Sequence, residues 1–505
     1  MKKLTLMACL LATGTAACAQ MADTRKAPVA ATPYAKSITA AGLKKHLYII
    51  AADDMQGRET GTAGQYKAAK YITEQFKRVG LQPGAGNGEW EQPFVLYMDT
   101  LTNATITVSG KTFEFGKDFY NSLRDNKNQE LAQTGVVFAG YGTVTDTADS
   151  YKGIDANDKI VLLAEARLGA GEQKDRLRAA ANKGARAVFM VNSNLPGISR
   201  AGSRLRRTGL YFGDMMSTME FIPNVYFISP ELASAILGKP YSSIAEGLKA
   251  GGPVPAAAGK IDGLAYQKGQ SEIKSSNVLG ILPGTDKKDE YVFVTAHYDH
   301  IGVINGEVHN GADDDGSGTV AVIAMAEAFM KAKKAGKGPR RSIVFMTVSG
   351  EEKGLLGSKY YTDHPIYPLA NTVSDLNIDM IGRIDPEHEK DSNYVYIIGD
   401  NKLSSDLRPI SEAANRLVGL DLDYKYNDPN DPNRFYYRSD HYMFAQHRIP
   451  IIFYFNGVHA DYHGANDTPD KISYPMLAKR AQLVFYTAWE VANRPDRLKV
   501  DRNEK

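Results

Sequence analysis

Tyr291-Val292-Phe293-Val294-Thr295-Ala296-His297-Tyr298-Asp299-His300 is an apolar run that stops abruptly at imidazoles and a carboxylate, and its reading decides the fold. A short continuous run of β-favouring residues fits a strand buried on both faces. Three later stretches repeat the arrangement. Ser342–Val348 precedes Gly350-Glu351-Glu352, Asp375–Ile378 precedes Asp379-Met380, and Pro450–Phe455 lies ahead of His459-Ala460-Asp461-Tyr462-His463. Between the first two runs, Asn310-Gly311-Ala312-Asp313-Asp314-Asp315-Gly316-Ser317-Gly318 opens a helix read over Ser317–Lys334, with Val320, Ile323, Ala324, Glu327 and Phe329 on a mixed face. A last helix is read over Tyr474–Val491. Apolar strands alternating with helices are the pattern of a doubly wound parallel sheet.

In open α/β sheets ligands sit outside the carboxyl ends of the strands, so the residues just past each run carry the information. Here the strand-end loops bring His, Asp, Glu, Asp and His in turn. One aspartate in such a place is often only a helix cap. Carboxylates gathered from several loops would repel one another, and their pKa values would rise until some were neutral. Divalent cations remove that problem. Imidazole and carboxylate without thiolate suits Zn²⁺, ahead of Co²⁺ or Mn²⁺. Five donors are too many for one tetrahedral ion that keeps a position open, and they fit two ions sharing a carboxylate.

The motifs AHYDHIG (296–302), NGADDDGSG (310–318), SGEEKGLLGS (349–358), NIDMIGR (377–383), RSDHYMF (438–444) and DYHGANDTPDKI (461–472) make residues 276–475 similar to the catalytic domain of the M28 family of dizinc peptidases, many of them aminopeptidases. DMQGRETGTAGQY (54–66) and the later Glu91-Gln92-Pro93-Phe94 resemble that family's N-terminal lead-in. The resemblance implies a mixed α/β sheet flanked by helices, two Zn²⁺ ions and peptide substrates. It implies His297 and Asp379 as ligands of one ion, Glu352 and His463 as ligands of the other, and Asp314 as the bridge. It further implies Glu351 as general base acting on a metal-bridging hydroxide, Tyr462 as the group that polarises the scissile carbonyl, and Asp299 as the carboxylate that orients His297. A cis peptide between Asp314 and Asp315 also follows, with Asp313 and Asp315 turned towards backbone N–H groups near the helix start.

The remainder of the chain divides by composition. Met1-Lys2-Lys3 followed by apolar Leu4–Ala17 reads as an export signal, residues 1–18, too short to span a bilayer as a stable helix. Thr15-Ala16-Ala17-Cys18 resembles a bacterial lipobox with Thr15 where Leu is usual, which implies a lipid anchor on Cys18; cleavage near Ala17 or Ala19 to leave a periplasmic protein is the competing reading. Residues 19–36, rich in Pro, Ala, Thr and Lys, suit a tether. Residues 37–98 read as helix, loop, helix and turn, with Thr62 as a cap of the second helix and Gly80 as its end. Residues 99–262 read as a β-rich block with one helical stretch, Lys174–Lys183, and resemble a protease-associated domain. Without a convergent His/Asp/Glu set, that block is expected to supply no catalytic group. Gly251-Gly252-Pro253-Val254-Pro255 reads as a linker, 263–495 as the catalytic part, and 496–505 as a tail.

The chain has 505 residues, 43% hydrophobic and 23% charged, with formal charge +2, and without the two lysines of the signal it is neutral. That balance argues against nucleic acid or an anionic membrane surface as the main partner. Both cysteines, Cys9 and Cys18, lie in the signal, so the body has neither disulfide nor thiolate chemistry. No later apolar run approaches the length of a membrane span. His300 and His309 read as solvated histidines or as supports of the ligands, His441 as a supporting or pocket residue, Gly57, Arg58 and Gly61 as packing residues, and Arg200, Arg204, Arg206 and Arg207 as a basic loop. Arg383 and Arg438 suit either a substrate contact or structural ion pairs. Asn427–Asn433 reads as two successive Asx/Pro turns in preference to a calcium loop. The function expected is a zinc exopeptidase, foremost an aminopeptidase. The alternatives are a carboxypeptidase or dipeptidase, a glutaminyl cyclase-like acyltransferase with one zinc, and a non-catalytic binding ectodomain.

Overall fold

The computed structural model describes residues 26–166, 169–195, 206–213, 222–249, 254–255 and 257–503. The export signal, Cys18, Arg200 and Arg204 lie outside the described residues. The chain forms two compact units, residues 1–92 with 277–505 and residues 93–276. The block expected at 99–262 is therefore wider. Both of its ends fall inside long strands, Glu91–Val108 and Ala258–Leu282, where no loop composition marks the change.

In the first unit Lys287–His297 is the central strand, parallel to Arg341–Val348 on one side and to Thr372–Ile378 on the other. Ile451–Phe455 continues the parallel run beside Thr372–Ile378. Tyr394–Ile398 then pairs antiparallel with Ile451–Phe455, and at the other side the end of Ala258–Leu282 pairs antiparallel with Arg341–Val348. The sheet is thus mixed, with the parallel strands in its interior. Successive residues face opposite sides. Val292, Val294, Ile343, Phe345 and Leu376 pack with the helices Gly318–Lys334 and Tyr474–Asn493, while Phe293, Val344, Met346 and Phe453 enter a second core with Tyr361 and Phe444. Burial on both faces is why these strands read as unbroken apolar runs.

The N-terminal part is more ordered than a tether. Ala31 and Ala35 are fully buried, and Tyr34 stacks on Trp489 with ring centroids 5.8 Å apart. Small residues allow this stretch to lie flat on the core. The expected tail is also held at Lys499, whose N–H donates to Asp406, and at Asp501, which accepts from Ser405. Helices follow at Ala40–Ile50 and Ala63–Val79. Gly80 ends the second in the left-handed conformation, φ 97°. Thr62 occupies the N-cap position, but its hydroxyl donates to the Glu59 carbonyl and caps nothing. Among the described residues no helix is long and apolar enough to cross a membrane.

The second unit contains a parallel run, Gln129–Phe138, Ile160–Leu163, Ala187–Val191 and Asn224–Ile228. Helix Ala170–Asn182 matches the expected stretch, and Pro230–Leu237 and Tyr241–Lys249 add two helices too short to show a clear period. In the first unit the Asn427–Asn433 loop forms two Asx turns, with the Asp428 carboxylate accepting from Asn430 N–H at 2.8 Å and that of Asp431 from Asn433 N–H at 3.0 Å.

His46, buried on helix Ala40–Ile50, lies 2.7 Å from the Tyr71 hydroxyl through Nδ1. Burial, assisted by the Arg78 charge, lowers its pKa to about 4. A histidine depressed on folding contributes stability above its unfolded value near 6.5 that is lost as pH falls towards 4. We expect the wild type to lose about 3 kcal/mol more than His46→Gln between pH 7 and pH 4. Urea melts of both proteins at the two pH values check this.

Candidate metal centre

The register of the sheet puts the expected residues at one level. His297 pairs with Val348, so Glu351 and Glu352 follow just past the neighbouring strand end, and Asp379 stands one residue beyond Ile378. Asp314 enters from the turn before helix Gly318–Lys334. That turn packs against the sheet so closely that a Cβ on Gly318 would lie 2.4 Å from the Ile378 carbonyl oxygen. The Asp314–Asp315 peptide is cis.

His297 Nε2 lies 3.2 Å from Asp314 Oδ1 and 3.6 Å from Asp379 Oδ1. His463 Nε2 lies 3.2 Å from Asp314 Oδ2 and 3.0 Å from Glu352 Oε2. The two oxygens of Asp314 therefore face two different donor groups, which is the geometry a bridging carboxylate requires. Donors bound about 2.0–2.1 Å from one tetrahedral zinc stand about 3.3 Å apart, so these separations fit a cation between each set. Asp314 Oδ2, Asp379 Oδ1, Glu352 Oε1 and His463 Nε2 are buried with no hydrogen-bond partner, which also fits donors whose partner is a cation. His463, despite partial burial, is pushed up to about 10 by the carboxylates of Asp314 and Glu352. Positive charge is what this site attracts. The metal-type groups are His297, Asp314 and Asp379, and His300, Asp314 and Glu352; His463 joins the centre through its contacts with Asp314 and Glu352, so the five expected ligands lie together, and among the described residues no such group includes a residue of 93–276.

The surrounding residues hold these donors. Asp315 turns away, its Oδ1 accepting from Gly318 and Met380 N–H and its Oδ2 from His297 N–H. Asp313 accepts from Gly382 N–H at 2.6 Å, on the loop after Asp379 and not at the helix start. Asp467 was not singled out in the sequence, yet its carboxylate accepts from the N–H groups of both Asp313 and Asp314. Its only sequence signal is its place in the 461–472 motif.

Arg58, expected merely to pack helices, does more. Fully buried, it donates to the carbonyls of Ile50, Tyr298, Asn310 and Gly311 at 2.6–2.9 Å, and so ties the N-terminal segment to both loops that deliver His297 and Asp314. Asp299 supports His297 differently from expectation. The His297 Nδ1 partner is the Asp299 backbone carbonyl at 3.1 Å, while the carboxylate stands 3.8 Å off because Thr60 Oγ and Glu351 N–H occupy it.

Glu351 lies beside the donors, 4.0 Å from His297 Nε2. Burial, with the charges of Glu352 and Asp379, pushes its carboxyl well above the usual carboxylate range, against the opposing pull of His297. Tyr462 stacks on His463, centroids 3.9 Å apart, and shares with Glu351, Asp314 and Asp379 a pocket also lined by Phe435, Phe453 and Phe455. Exposed Arg438 sits on that pocket and over Phe435. Arg383 is committed to Asp461 at 2.8 Å. His441 is buried, donates Nε2–H to the Tyr436 carbonyl and stacks on Phe453, so it is a structural residue. His309 Nδ1 meets the His463 carbonyl at 3.1 Å. His300 is not solvated: Gly302, His309 and Arg58 crowd its loop and the side chain is fully buried.

Two donor groups sharing one carboxylate at the strand ends of a mixed α/β sheet are an arrangement that could hold a pair of divalent cations. Residues 277–488 match the profile of Peptidase family M28. A probable leucine aminopeptidase of Arthroderma otae is 29% identical over 240 residues, 46% of this chain and 62% of the relative. Aminopeptidase YwaD of Bacillus subtilis is 28% identical over 238 residues, 46% of this chain and 48% of the relative. The alignments therefore span about half to three-fifths of those relatives' lengths. The solved aminopeptidase from Aneurinibacillus sp. strain AM-1 shares the fold, with TM-score 0.52 and 20% identity over 94% of this chain and 100% of that one.

Two substitutions separate binding from chemistry. Asp314→Asn removes charge from both donor groups at once, so the purified protein is expected to retain fewer than two metal ions in elemental analysis. Glu351→Gln touches neither group and is expected to keep its metal while kcat falls by about 10²–10⁴-fold. Undiminished turnover in that variant would place the base elsewhere.

Proposed function

We propose that this chain is a zinc-dependent exopeptidase, an aminopeptidase that uses two Zn²⁺ ions. The observation that carries the reading is Asp314 facing two buried donor groups with Glu351 free beside them. His297, Asp379 and Asp314 would hold one ion, and Glu352, His463 and Asp314 the other. Bound there, zinc supplies Lewis acidity to the scissile carbonyl and lowers the pKa of water from 15.7 to about 7. Glu351 takes the proton of the attacking water and passes it to the leaving amine. The Tyr462 hydroxyl donates to the oxygen on which negative charge develops. The aromatic walls of Phe435, Phe453 and Phe455 favour an apolar side chain on the residue removed.

Complete donor groups and an intact base support this reading over a one-zinc acyltransferase or a non-catalytic ectodomain. We also propose, from residues 1–18 alone, an exported protein of the periplasm or cell envelope anchored through Cys18. The 93–276 unit would be a protease-associated domain that limits access or binds peptide weakly. A panel of free-amine, N-acetylated and C-amidated peptides tests the activity. Release of apolar N-terminal residues only from free-amine peptides is the expected result. Cleavage of acetylated peptides would overturn it in favour of a carboxypeptidase or an endopeptidase.

A further inference from the structure

His300 is an imidazole at this centre that the two-ion reading leaves without a task; His459, the other buried one with unpartnered nitrogens, faces Asp313 and Asp467 and not the expected ligands. Its side chain is fully buried, yet neither ring nitrogen makes a hydrogen bond, a costly condition for a polar group. Nδ1 lies 2.8 Å from Glu352 Oε1 and 3.8 Å from Asp314 Oδ2. The two separations lie on either side of the roughly 3.3 Å at which donors stand around a common tetrahedral zinc, and His463 Nε2 shows the same combination of close carboxylates and no hydrogen bond. The seat of the ring is built for close approach. Gly311 adopts φ 56°, and a Cβ there would stand 2.5 Å from His300 Cγ. On geometry, His300, Asp314 and Glu352 form a metal-type group in their own right, as His297, Asp314 and Asp379 do.

We infer that His300 is a sixth metal ligand, bound through Nδ1 to the ion held by Glu352, His463 and Asp314. The inference rests on the two-zinc reading above and makes its two sites unequal. One site has four protein donors, while the His297 site has three and keeps more room for water or substrate beside Glu351.

Zinc K-edge X-ray absorption of the full-length protein loaded with two zinc ions counts the imidazoles directly. Three shared by the two ions, falling to two in His300→Ala with the zinc content restored, is the expected result. Circular dichroism melts show whether that variant is folded, and the wild-type spectrum decides the matter if it is not. Two imidazoles in the wild type with both ions bound would overturn the role of His300 and leave the two-zinc enzyme standing. A protein that binds fewer than two zinc ions at saturation would overturn the two-zinc reading and this inference with it.

Discussion

Asp299, Asp314, Asp315, Glu351, Glu352, Asp379 and Asp467 crowd the ends of one set of strands, almost all of them buried. Water cannot screen charges in such a place, and unpaired carboxylates there would protonate or push the loops apart. The unit meets this constraint in three ways. Backbone N–H groups absorb the carboxylates that face away, as Asp313, Asp315 and Asp467 show. Imidazoles face those that point inward. Arg58 contributes a fixed buried cation, whose charge Asp299, Asp314, Asp315 and Asp467 sustain against the cost of burial. Removing the metal donors' charge would leave these supports without a purpose, and removing the supports would leave the donors without fixed positions.

Most of the expected ligands were legible because they stand at or shortly past the end of an apolar strand, where sites form in an α/β sheet, while Asp314 was marked by the glycine-rich turn that opens a helix. The five expected ligands and the base all meet. Positions that act through the backbone were harder to read. Arg58 is one arginine in a polar loop, and nothing local shows that its guanidinium reaches carbonyls more than 200 residues away. Asp467 resembles an ordinary turn aspartate until the N–H groups of Asp313 and Asp314 are seen to converge on it. His300 reads as a loop histidine because its burial is tertiary. Tyr394–Ile398 is a short apolar strand whose end also carries a carboxylate, Asp400, but that carboxylate is paired with Arg408 and takes no part in the centre.

Support of the centre is divided by kind of contact. The expected ligands come from separate loops, and three of these are tied to a neighbour by a main-chain group meeting a short side chain: Gly382 N–H to the Asp313 carboxylate, His297 N–H to that of Asp315, and the His463 carbonyl to His309 Nδ1. Main-chain partners survive side-chain change better than ion pairs between long side chains do, and they cost less conformational entropy to hold. A donor set placed in this way is preorganised, so zinc affinity is not spent on ordering loops.

Arg58 joins Ile50 to Tyr298, Asn310 and Gly311, so the chain between them, including all of 93–276, is a loop that must close before the guanidinium finds its partners. Closing so long a loop costs only slightly more than closing one half its length, about 0.6 kcal/mol per doubling, so final stability is little affected. The effect falls on time. Contacts of such sequence separation form late and slow the search for the native state. During synthesis from the N-terminus, the 93–276 unit emerges entire while the segment before it still awaits residues 298–311. The half-made chain thus carries the arginine in water, and the centre assembles only when the last partners arrive.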